Sequence, residues 1–177
     1  MYKDYSELDI EALTVLIEET FREYGLKSAL IGNGALALYT KDHLPTNALQ
    51  YVIFDQDLKH IKQVLNQLNF HEKEDSLWHN ETCPFTIELF KEYVISGEVV
   101  SNFFQNKMPS GLVTMLFPLD CMRAKLVEYS QTQDPLLLEQ AETLYKFQKI
   151  DLGELRIFAE KKDLLKAFDV LEDYLRK

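Results

Sequence analysis

Apolar residues recur at helical spacing between residues 6 and 24, where Leu8, Ile10, Leu13, Leu16, Ile17, Phe21 and Tyr24 fall near one face of a 3.6-residue period. The spacing predicts an amphipathic helix with Ser6 as N-cap and Gly25 just past its end. Ala29, Leu30 and Ile31 then form a short apolar run, broken at Gly32-Asn33-Gly34 and followed by Ala35-Leu36-Ala37-Leu38-Tyr39. That order reads as buried strand, glycine turn, helix. Asn47 to Phe54 is rich in apolar and β-branched residues and predicts a second strand, ended by Asp55-Gln56-Asp57. A helix follows through Leu58, Ile61, Val64, Leu65 and Leu68. After Phe70 the period drops to two, and Ser76 to Asn80 and Phe85 to Phe90 read as strands, with Pro84 confined to the start of the latter. Val94 to Phe104, carrying Gly97, predicts a strand pair or one long bent strand, and Gly111 to Phe117 adds a short strand. From Pro118 the signals turn helical, giving three or four helices with Asp134, Asp151 and Asp163 as N-cap candidates and Pro135 at the favoured first helical position.

The fold expected is therefore α+β: a small mixed sheet flanked by helices over residues 1–117, with residues 118–177 a helical region packed on it. A length of 177 residues with 46% apolar content fits one compact domain, or a domain with a small helical appendage. No apolar stretch approaches the roughly 20 residues a bilayer span needs, and the acidic start MYKDYSELDIEAL lacks the basic-then-apolar order of an export signal. A cytoplasmic location and no membrane partner are the expectations. Net charge is −10, and residues 1–117 hold 9 Lys and Arg against 17 Asp and Glu. Nucleic-acid binding depends on cations that release phosphate counterions, so a nucleic-acid partner is not expected either. Cys83 and Cys121 stand 38 positions apart with no CxxC and read as buried thiols, and the histidines His43, His60, His71 and His79 form no metal-ligand spacing.

Two segments carry a resemblance. IGNGALALY (Ile31 to Tyr39) and PTNALQYVIF (Pro45 to Phe54) look like the strand-turn-helix and following strand of the nucleotidyltransferase fold, in particular of small bacterial minimal and abortive-infection nucleotidyltransferases. Pro118 to Lys161 is similar to the helical tail of such proteins, where Asp120-Cys121 opens a helix and Asp134 precedes one containing Leu138-Glu139-Gln140-Ala141. The resemblance implies a nucleoside triphosphate against the glycine turn, with Gly32, Asn33, Gly34 and Thr46 as nucleotide-binding candidates. It also implies Mg²⁺ held by an Asp-x-Asp pair on the second strand and a third carboxylate on a neighbouring strand. Hard cations of this kind bind oxygen ligands and neutralise charge at the transferred phosphorus. With Thr46 matched to the family's threonine, the paired positions fall on Ala48 and Gln50, neither acidic, and Glu88 alone matches the third.

The expectation is a catalytically degenerate nucleotidyltransferase-like protein with a vestigial site at Ala48, Gln50 and Glu88, no cofactor, and a role in binding a protein partner, itself or a nucleotide. An alternative keeps the chemistry, with Mg²⁺ held by Asp55, Asp57 and Glu88, although Asp57 more simply caps the next helix. A further alternative is a small-molecule or nucleotide sensor. Trp78, His79 and Tyr51 as a base-stacking shelf stand against ordinary core packing.

Overall fold

The computed structural model describes residues 4–54, 57–74 and 76–176. Helix α1 (Ile10–Glu23) starts later than its apolar period: Asp9, not Ser6, is the N-cap and accepts from the Ala12 N–H at 2.8 Å. A carboxylate at that position meets both the orphan amides and the positive end of the helix, which a serine three residues upstream does not. Strand β1 (Ser28–Ile31) is buried along its whole length, as befits a central strand, and passes without a break into α2 (Gly32–Tyr39), so the expected glycine turn is the first turn of that helix. Strand β2 (Ala48–Ile53) follows, then α3 (Leu58–Gln67), whose N-cap Asp57 accepts from the Lys59 and His60 amides. A hairpin of β3 (His71–Glu74) and β4 (Leu77–His79) leads to β5 (Thr86–Phe90).

The Val94 to Phe104 segment resolves into a small separate hairpin, β6 (Val94–Ile95) and β7 (Glu98–Val99), turning at Ser96 and Gly97, which both have positive φ. Strands β8 (Phe104–Met108) and β9 (Gly111–Met115) then return to the main sheet, whose order is β3-β4-β5-β2-β1-β9-β8. In it β1 runs antiparallel to β2 and parallel to β9, and β2 runs parallel to β5. Four helices end the described chain: α4 (Pro118–Thr132), α5 (Pro135–Phe147), α6 (Leu152–Lys161) and α7 (Leu165–Leu175). Asp134 and Asp151 cap α5 and α6 through their side chains. Asp163 does not cap α7; it adopts φ 57° past the end of α6, and the Leu164 amide closes on the Ala159 carbonyl at 2.8 Å. An aspartate tolerates that left-handed position and so terminates the preceding helix instead of starting the next.

The core runs continuously from the sheet through α2 into α4, α5 and α7. Helix α2 has no polar stripe and is buried from Gly34 to Tyr39. Its Tyr39 hydroxyl donates to the Leu116 carbonyl at 2.6 Å, and Gln148 donates to the Tyr39 carbonyl at 2.9 Å, tying the helix to the start of α4 and the end of α5. Among the described residues no helix is long and apolar enough to cross a membrane.

Candidate functional site

In a parallel pair, residues in register project to the same face, and along one strand that face is visited every second residue. Gln50 on β2 is in register with Glu88 on β5, Ala48 with Thr86, and Ile31 on β1 faces Gln50 from the other side. The Gln50 amide therefore lies between its two neighbours. Its Nε2 donates to Glu88 Oε2 at 2.7 Å, and its Oε1 fills the space beside Gly32, 2.0 Å from where a Cβ would stand. The structure thus brings Gly32, Gln50 and Glu88 to one point.

Other sequence candidates fall elsewhere. Gly34 packs into the core, where a Cβ would meet Leu30 at 3.0 Å and Leu49 at 3.5 Å. Thr46 is occupied in a local turn, accepting from the Ala48 amide and donating to the Ala48 carbonyl. Asp57 spends a carboxylate oxygen on the α3 amides, and Asp55 lies outside the described residues. Among the described residues no group of His, Cys, Asp and Glu side chains comes together that could hold a metal ion. Trp78 and Tyr51 are core residues at 2% and 0% exposure, so they form no base-stacking shelf with His79. Cys121 is buried as expected, with its thiol pushed up to about 12 by burial and, less, by Asp120, but Cys83 is only half-buried. A thiol held so far above neutrality is no nucleophile.

Around Gly32 and Gln50 opens a cleft of about 360 Å³. Asn33 stands exposed at its mouth on the first turn of α2; Phe90 and Tyr93 come from the end of β5 and the segment after it; Cys121, Lys125 and Glu128 come from α4. Lys125 is 8% exposed, and its ammonium pairs with Glu128 at 3.1 Å. Neither Lys125 nor Tyr93 was among the sequence candidates. The available signal was that Lys125 interrupts the apolar stripe Cys121, Met122, Leu126 and Tyr129, one helical turn after Cys121. Burial pushes the Tyr93 phenol above its ordinary range, so it stays protonated and can donate. A larger, more open cleft of about 550 Å³ lies between the β6–β7 hairpin and the helices α4 and α6. Two ion pairs lie in its lining, Lys162 with Glu98 at 2.5 Å and Arg123 with Asp120 at 2.9 Å.

The contact of Gln50 with Gly32 gives an expected result. Gly32 has φ 59°, which costs an alanine about 1–2 kcal/mol, and its methyl would displace Gln50 and break the bond to Glu88. A hydrogen bond to a charged group is worth about 1.5–3 kcal/mol. Gly32→Ala should therefore destabilise the natural protein by the sum, but a Gln50→Ala background by the backbone part alone. Urea unfolding of the four proteins measures the coupling; additive losses would mean that Gln50 does not sit against this glycine.

No family model matches the chain, and no curated protein matches it. Two solved structures do. An antigenic nucleotidyltransferase-like protein from Paracoccidioides brasiliensis superposes with a TM-score of 0.60 at 13% identity, over 94% of this chain and 95% of that one. The antibiotic-resistance factor ANT(2'')-Ia superposes with a TM-score of 0.53 at 9% identity, over 94% of this chain and 90% of that one. At such identities the likeness is one of fold, and this chain has a nucleotidyltransferase-like fold.

Proposed function

We propose that this chain is a catalytically degenerate nucleotidyltransferase-like protein, one that uses the cleft to bind and does not transfer a nucleotidyl group. The observation that carries the reading is the Gln50–Glu88 hydrogen bond at 2.7 Å. A pair of divalent ions demands several carboxylate oxygens at fixed positions. Here Ala48 offers no oxygen, and Gln50 turns its N–H toward the Glu88 carboxylate. An amide donor satisfies Glu88 without a cation, so the residues do not fit the metal that the fold family uses. We read residues 1–117 as the core that carries the floor of the cleft and residues 118–177 as the helical region that closes it.

The same reading includes docking of a protein partner. Val94 and Val99 on the small hairpin are 45% and 56% exposed, although Ile95 beside them is buried. Incubation with radiolabelled nucleoside triphosphates and Mg²⁺ or Mn²⁺ tests the reading. No transfer to protein, RNA or small acceptors is expected. Transfer that disappears in Glu88→Gln would establish the rival enzyme instead.

A further inference from the structure

The cleft's own chemistry says what class of molecule it takes, and the inference rests on the metal-free reading above. Polyphosphate binding is favoured by an open approach to backbone N–H groups at a helix N-terminus and by cations free to meet the charge. The approach beside Gly32 is filled by Gln50 Oε1, an acceptor that repels phosphate oxygens. The one buried cation in the lining, Lys125, is already paired with Glu128. The nearby carboxylate, Glu88, is held by an amide and presents negative charge, within a chain of net charge −10. What remains in the lining is a pair of aromatic rings, Phe90 and Tyr93, and the side-chain amide of Asn33, which has no hydrogen-bond partner among the described residues.

We propose that this cleft binds an uncharged planar heterocycle, stacked on Phe90 and Tyr93 with its polar edge read by Asn33, and that it refuses polyphosphates. Aromatic faces stack on any π-system, and an exposed amide carries a donor and an acceptor that match the edge of a lactam or amidine ring. Phe90 is 40% exposed and lines the same cleft as Gln50. A volume of about 360 Å³ is at the small end of ligand sites and suits a ring with a modest substituent.

Calorimetric titration of the full chain with adenine, adenosine, guanosine, cytidine and uridine, and with ATP in the presence of Mg²⁺ or EDTA, is the test. At least one uncharged ring should bind, unaffected by EDTA, and ATP should bind at least tenfold more weakly than the matching nucleoside. Phe90→Ala, with its folding checked by urea unfolding, should weaken the nucleoside roughly tenfold, as loss of a stacking partner does. Asn33→Ala should change the ranking among the rings. Failure of every uncharged ring to bind, with no response to metal, would overturn this proposal and leave the degenerate reading standing. ATP binding that requires Mg²⁺ would overturn both. Nucleoside affinity unchanged in Phe90→Ala would also overturn the placement in this cleft.

Discussion

Ala48→Asp combined with Gln50→Asp should create a divalent-ion site beside Glu88, where the natural side chains are a methyl group and an amide. The positions lie two apart on β2 and face the same side, with Gln50 in register with Glu88, so three carboxylates would then surround one point. Without an ion the variant loses the bond between Gln50 and Glu88 and gains like-charge repulsion, a destabilisation of about 2 kcal/mol or more. With Mn²⁺ at a hundred times its dissociation constant, binding to the folded state returns about 2.7 kcal/mol. For a chain of this length that corresponds to a rise in Tm of about 5–10 °C, well within the reach of calorimetry. An equal response to Mn²⁺ in the variant and the natural protein would mean that these strand positions do not converge on Glu88.

A second large effect is expected on the other side of β1. Glu18 of α1 is 4% exposed, accepts from the Ser28 hydroxyl at 3.1 Å and faces the Thr114 amide at 3.5 Å. It spans the seam where β1 meets β9, strands that pair at Leu30 and Met115 and through the Leu116 amide to the Leu30 carbonyl. Burial pushes its carboxyl from 4.5 up to about 7, against the opposing pull of Ser28, Thr114 and Arg22. The folded state thus holds a proton that the unfolded chain releases, and this contribution to stability falls as pH rises from 4.5 to 7. The loss at pH 8 is on the order of 3 kcal/mol. Glu18→Gln keeps an acceptor for Thr114, and its amide can donate to the Ser28 oxygen. The variant should therefore be more stable than the natural protein at pH 8, with a flatter dependence between pH 5 and pH 8. Urea unfolding at those two pH values measures both; a variant less stable than the natural protein at pH 8 would show that Glu18 works there as a needed charge.

Which elements could be read from the sequence follows from where their side chains go. β1, β2 and α3 carry apolar residues at the period of their structure, and Asp57, Asp134 and Asp151 announce their helices, so these elements stood out. Strand β3, His-Glu-Lys-Glu, is an exposed edge strand with no apolar face, and β8, Phe-Gln-Asn-Lys-Met, forms the opposite edge. Charged edges guard against pairing with other chains and for the same reason carry no period to read. That Gln50 and Glu88 share a site is an expectation of the resemblance, and strand alternation alone fixes only which residues of each strand lie on one face. It could not place Lys125 or Tyr93, which reach the cleft from α4 and from the segment after β5 only through the tertiary fold. In sequence, Lys125 and Glu128 look like any solvated pair on a helix.

The central claim is that this cleft works without a divalent metal, and melting curves of the natural protein with ATP, recorded in EDTA, Mg²⁺ and Mn²⁺, test it most directly. Specific binding to the folded state must raise the apparent Tm. The same Tm is expected under all three conditions, because Gln50 satisfies Glu88 and Ala48 supplies no ligand. A rise with ATP that appears only with Mg²⁺ or Mn²⁺, and vanishes in Glu88→Gln, would contradict it.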